Sequence, residues 1–184
     1  LANFEPIFEK VILLEGGYIL HEVPGDRGGM TYAGISRNSW PSWIGWSKVD
    51  RKEFDSQLRF LVSIFYKYNF WDEIQGDKIN SQIVAYHIFA FGVNAGLRTA
   101  KKIAQQALGV IDDGIFGFKT MAAINKIDND SSEEIFKLRY TLHKIFRYKN
   151  VAYQDKRRKN DKIQSNLKFL IGWINRAEAG LRYK

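Results

Sequence analysis

Phe4-Glu5-Pro6-Ile7-Phe8-Glu9-Lys10-Val11-Ile12-Leu13-Leu14-Glu15-Gly16-Gly17 is the stretch on which the reading turns. Phe4, Ile7, Phe8, Val11, Ile12 and Glu15 recur at the spacing of one face of an α-helix, and the paired glycines then stop it. One member of that stripe is out of character. Glu15 stands where the period calls for an apolar side chain, and it stands in the last turn. Both placements disfavour its ionised form: partial burial strips water from the charge, and a helix C-terminus is itself partly negative. A carboxylic acid kept protonated near neutral pH is what a general acid needs. Taken alone, Glu15 reads rather as a solvated carboxylate at a fraying helix end. Gly16 and Gly17 let backbone, and hence a ligand, come close to it.

Residues 18–36 change character. Val23-Pro24-Gly25-Asp26-Arg27-Gly28-Gly29 lies between Tyr18-Ile19-Leu20 and Thr31-Tyr32-Ala33-Gly34-Ile35, which predicts a small β-hairpin or three-stranded ribbon, the only sheet expected. Such a hairpin folds its turn back over the helix end, bringing Asp26 and Thr31 to the mouth that holds Glu15. Two carboxyls and a hydroxyl around one cleft are the minimal kit for cleaving a glycosidic bond. Singly, Asp26 reads as a turn former and Thr31 as an ordinary strand residue.

Helical spacing dominates the remainder. Ser36 is expected to cap a short helix ending near Trp40-Pro41. Asp50 with Glu53 reads as a capping box for a helix whose face is Phe54, Leu58, Leu61, Phe65 and Tyr68. Residues 81–95 are apolar nearly all round, which predicts a helix enclosed by others. Helices over Leu97–Leu108, about 119–127, about 131–149 and about 161–178 follow, with the loop Asp112-Asp113-Gly114-Ile115-Phe116-Gly117 among them. The expected class is mainly α, in two lobes meeting on the helix at 81–95, with one small β-ribbon near 18–36.

The 184 residues fit one domain or two closely joined lobes, and an apolar content of 45% supports a large core. With no cysteine, a disulfide scaffold, a cysteine nucleophile and a thiolate zinc site are excluded. His21, His87 and His143 have no metal-ligand spacing, so neither metal nor cofactor is expected. No apolar run reaches the roughly 18–20 residues of a membrane helix, so membrane insertion is not expected. The formal charge is +8, unevenly spread: residues 1–92 hold 9 basic and 11 acidic side chains, residues 93–184 hold 19 and 9. The basic half, densest from Lys137 to Lys168, reads as a surface for a polyanion: nucleic acid, anionic membrane or cell-wall polymer. Any single stretch of it reads equally as a solvated helix face. Lys156-Arg157-Arg158-Lys159 is a basic cluster of low specificity, and no zinc-finger, helix-turn-helix or RNA-binding pattern accompanies it.

Glu15-Gly16-Gly17-Tyr18, Asp26-Arg27-Gly28-Gly29-Met30-Thr31 and Gly34-Ile35-Ser36 together resemble the N-terminal signature of the glycosyl hydrolase 108 family, lysozyme-like N-acetylmuramidases also labelled secretion activator proteins. The resemblance continues through Phe70-Trp71-Asp72, Val93-Asn94-Ala95-Gly96, Asp113-Gly114-Ile115-Phe116-Gly117 with Thr120, and Gly172-Trp173-Ile174-Asn175-Arg176. It implies a lysozyme-like fold, with a catalytic lobe over 1–92 and a basic helical peptidoglycan-binding lobe over 93–184. It implies Glu15 as the catalytic glutamate. The Glu–Asp–Thr order is similar to that of phage T4-type lysozymes, which by analogy gives Asp26 and Thr31 supporting roles. Three positions depart from the family pattern: Ala90 stands where an aspartate usually follows the phenylalanine, Phe118 replaces a common proline, and Pro24-Gly25 leads into the Asp26 turn.

The expected activity is hydrolysis of the β-1,4 bond between N-acetylmuramic acid and N-acetylglucosamine, with Glu15 as general acid. Tyr32, Trp71 and Asn94 are the candidates for holding sugar, through ring faces and an amide. Core packing is the competing reading of Trp71, and helix closure that of Asn94. The expected partner is bacterial peptidoglycan and not nucleic acid, the expected state a monomer, and the site of action the periplasm or cell wall. No leader is visible, so delivery by a holin-like or dedicated secretion route is expected. The rival from another class is a non-catalytic wall-binding or secretion-accessory protein that keeps the fold, and Ala90 is the residue that sustains it.

Overall fold

A computed structural model describes residues 1–21, 29–154 and 164–182. Among them are eight α-helices and one three-stranded antiparallel sheet. The chain packs as two compact units, Asn3–Asp77 and Lys78–Lys184, the latter including Leu1–Ala2.

In the first unit, α1 (Phe4–Leu14) begins at Asn3, whose side-chain oxygen accepts the Glu5 N–H. It buries Phe4, Ile7, Phe8, Val11 and Ile12, the predicted stripe. Its end is a Schellman motif: the Gly17 N–H donates to the Ile12 carbonyl at 2.8 Å and the Gly16 N–H to the Leu13 carbonyl at 3.2 Å. That closure needs Gly16 at φ +95°, a region costly for any residue with a Cβ. Three two-residue strands follow, β1 (Leu20–His21), β2 (Thr31–Tyr32) and β3 (Ile35–Ser36), in the order β1-β2-β3. The β2–β3 turn puts both Ala33 (φ +49°) and Gly34 (φ +77°) at positive φ, the tight hairpin turn whose twist suits adjacent strands.

Three expectations in this unit are corrected. Residues after Ser36 form turns rather than a helix; the Ser36 hydroxyl accepts the Ser39 N–H within one turn, and Pro41 restricts the residue before it. Asp50 and Glu53 are not a capping box. Asp50 ends α2 (Trp46–Asp50) and binds Arg37, Glu53 binds Lys48 and Arg51, and the cap of α3 (Ser56–Tyr66) is Asp55, which accepts the Leu58 N–H at 2.9 Å. The buried face of α3 is therefore Leu58, Val62, Phe65 and Tyr66, with Tyr68 exposed beyond its end. A π-helical turn at Lys67–Trp71 continues α3 and delivers Trp71 to the core.

The second unit is helical. α4 (Gln82–Ala95), capped by Ser81, buries residues on all sides as predicted, and packs on α5 (Leu97–Leu108) and α7 (Asp130–Gln154). The packing boundary between Asp77 and Lys78 thus keeps α4 whole in this unit. α5 ends at Gly109 in the left-handed region, α6 spans Phe118–Ile124, and α8 (Gln164–Leu181) packs on α7. Two cations of the basic half are not on its surface. Lys137 and Lys144 are buried on the inner face of α7, the Lys144 ammonium 5.6 Å from the ring centres of Phe91 and Tyr140. Burial pushes Lys144 down to about 8. Lys156, Arg157, Arg158 and Lys159 lie outside the described residues.

Candidate active site

Glu15 is the C-cap residue of α1 and is partly buried. The β2–β3 turn lies against its side chain. A Cβ built on Gly34 would stand 3.3 Å from Glu15 Cβ, 3.5 Å from Glu15 Cγ and 2.5 Å from the Tyr66 hydroxyl oxygen. Glycine at 34 is therefore required twice, by its positive φ and by the space that Glu15 and Tyr66 take. The Tyr66 hydroxyl donates to the Ala33 carbonyl at 2.9 Å and so ties α3 to the turn. Burial first, and the charge of Glu15 second, hold the Tyr66 phenol well above its ordinary range. Tyr66 thus stays neutral beside Glu15, with its one proton committed to the Ala33 carbonyl.

Around this centre, His21 on β1 brings Nε2 to 3.7 Å from a Cβ built on Gly16. The Arg59 guanidinium lies 5.0 Å from the ring centre of Tyr18. Burial, reinforced by Glu9, pushes the Tyr18 phenol up to about 12. Thr31 is in β2, two residues before Ala33, and its hydroxyl donates to the Gly29 carbonyl at 3.3 Å. Asp26 falls in 22–28, outside the described residues.

The sugar-holding candidates fare differently. Tyr32 is only 1% exposed, its ring between Trp43 and Phe54, and Trp71 is 0% exposed, packed on Phe4 with its indole N–H donating to Asp77. A ring with no free face cannot stack on a sugar, so both belong to the core of this unit. Asn94 belongs to the second unit, where it is exposed and its side-chain oxygen accepts a hydrogen bond from Tyr148 at 3.4 Å. Tyr66, Gly34 and Arg59 were not singled out from sequence. Gly34 had a usable signal in its place in the Gly34-Ile35-Ser36 motif, whereas Tyr66 lies off the apolar stripe predicted for α3.

Among the described residues no group of three or more His, Asp or Glu side chains is placed to hold a metal ion, and no helix is long and apolar enough to cross a membrane. The chemistry available at Glu15 is that of a carboxyl group beside a neutral phenol and a glycine turn.

The architecture, mainly helical with one small antiparallel sheet among the described residues, is a lysozyme-like fold. Residues 8–96 match the family described as Glycosyl hydrolase 108, and residues 99–178 match a Predicted Peptidoglycan domain. The chain belongs to the glycosyl hydrolase 108 family, with a peptidoglycan domain as its second part, and its function is peptidoglycan-related. Among matching solved structures is that of SagA from Brucella abortus, 22% identical, covering 98% of this chain and 97% of that one at a TM-score of 0.61, a likeness of fold. No curated relative matches the chain.

Proposed function

We propose that this protein is an N-acetylmuramidase, cutting the β-1,4 bond between N-acetylmuramic acid and N-acetylglucosamine in peptidoglycan. The observation that carries the reading is Glu15: a partly buried carboxyl group at a helix C-terminus, packed on the Gly34 turn inside the region matching a glycosyl hydrolase family. In the proposed reaction the Glu15 proton passes to the glycosidic oxygen as its bond to the anomeric carbon breaks. Water then adds to that carbon and returns a proton to the carboxylate. Asp26 and Thr31 are proposed to position that water or to stabilise the charge forming at the anomeric carbon. The site of action is the cell wall, outside the cytoplasm.

Glu15→Gln keeps the shape and removes the proton, so clearing of a purified sacculus suspension should slow by about 10²–10⁴-fold. Undiminished clearing by the variant would end the assignment. A non-catalytic wall-binding role, favoured by Ala90 in place of the family's usual aspartate, predicts instead that the unsubstituted chain binds sacculi without releasing reducing ends.

A further inference from the structure

The loop between α5 and α6 forms a groove of about 580 Å³, lined by Val110, Ile111, Asp113, Ile115, Phe118 and Lys119 with neighbouring backbone. That volume is within the usual range of ligand sites. Its apolar walls face water: Ile111 is 78% exposed, Ile115 66% and Phe118 89%. A floppy loop would explain such exposure, but this one is fixed from beneath. The buried side chain of Gln105 donates to Asp113 at 2.7 Å and to the Ile115 carbonyl at 2.9 Å, with the Thr120 hydroxyl 3.2 Å away, and accepts the Gly114 N–H at 2.8 Å. Asp113 also accepts the Ile115 N–H at 2.8 Å, so its carboxylate is committed to the loop. Three large apolar side chains held outward on a rigid frame are the mark of a contact surface rather than of a core.

Three cations stand beside the loop against two carboxylates, Asp112 and Asp113, which are hydrogen-bonded to Gln106 and Gln105. Lys119 lines the groove, and the stems of Arg98 and Lys102 lie 3.2 and 3.4 Å from a Cβ built on Gly114, which places both side chains beside the loop. Apolar walls with a positive rim complement a strand that is apolar on its sugar faces and acetyl methyls and negative at its peptide carboxylates. The match to a peptidoglycan domain spans every lining residue.

We infer that this groove is a binding subsite for the peptidoglycan strand, taking an N-acetylated disaccharide against Phe118, Ile115 and Ile111, with stem-peptide carboxylates at Lys119, Lys102 and Arg98. The inference rests on the reading that the chain acts on peptidoglycan, and deepens it by placing a second contact away from Glu15 in sequence.

The test measures binding to purified sacculi in the Glu15→Gln chain, which should leave the polymer intact. Adding Phe118→Ser with Ile115→Ser should weaken binding by about tenfold or more, and Lys119→Glu by about threefold. Phe60→Ser, which removes an exposed apolar side chain of the first unit, should change it by less than about twofold. Amide shifts on titration with a soluble disaccharide–tripeptide should fall at Arg98, Lys102 and residues 109–120. Equal binding by the groove variant, shifts confined elsewhere, or a groove variant that only abolishes self-association would each overturn the inference while leaving the enzyme reading intact. Failure of the unsubstituted chain to bind or cut sacculi would instead overturn both.

Discussion

In Asn3–Asp77 the charged side chains meet one another at the surface, Arg37 with Asp50 and Lys48 with Glu53 and Asp55, and the interior is a continuous set of aromatic rings from Phe4 to Trp71. In the second unit two lysines are buried instead, and the Ile111–Phe118 loop turns large apolar side chains to water. The first arrangement places one group accurately, because a glutamate at a helix end is held by what packs on it. The second displays a surface, which a polymer substrate needs more than it needs a single fixed atom. On the proposed reading the contrast is one of purpose: positioning in the first, presentation in the second.

The most damaging change to the positioning unit should be Gly34→Ala. Its new Cβ would meet the Tyr66 hydroxyl at 2.5 Å on a backbone at φ +77°, and a loss of about 2–3 kcal/mol in urea unfolding is expected. Combining it with Tyr66→Phe removes the oxygen it strikes, so the double variant should recover at least about 1 kcal/mol relative to the summed single effects. Simple additivity would mean that the turn does not pack on Tyr66.

Much of this was legible beforehand, and the reasons differ by element. The α1 stripe and the all-round apolarity of α4 declare themselves because burial repeats at the helical period and no competing signal interrupts it. The cap of α3 is not legible in sequence because Asp50, Glu53 and Asp55 all stand near the helix start, and only in the fold does Arg37 hold Asp50 and Arg51 hold Glu53. The off-pattern Glu15 was readable from its neighbours in sequence. Tyr66 was not, since its contact with Ala33 joins positions 33 residues apart. Tyr32 and Trp71 were drawn outward as sugar platforms because aromatic type alone does not distinguish a core ring from a displayed one.

In the second unit the next largest effect is on acid stability. Burial first, then the nearby Lys144 and Lys137, lowers His87 to about 3 from an ordinary 6.5. Between those values the unfolded chain binds a proton that the folded chain refuses, so stability falls as pH drops from about 6.5 toward 3. The slope reaches at most about 1.4 kcal/mol per pH unit for this one group. Urea midpoints across that range should fall less steeply in His87→Phe; an unchanged slope would show that this histidine is not held neutral by the fold.

The smallest effect belongs to the surface pairs of the first unit. Arg37 and Asp50 are substantially exposed although their contacts are 2.5 and 2.8 Å, and Arg37→Ala should leave the urea unfolding midpoint nearly unchanged. A large fall in that midpoint would show that the outer charges, and not the aromatic interior, hold the unit together.

Mass spectrometry of the fragments freed from sacculi by the unsubstituted protein and by Glu15→Gln tests the central claim most directly. The account predicts muropeptides ending in a free reducing N-acetylmuramic acid, carrying the added water, from the first and almost none from the second. Release of the same fragments at the same rate by the variant would contradict it.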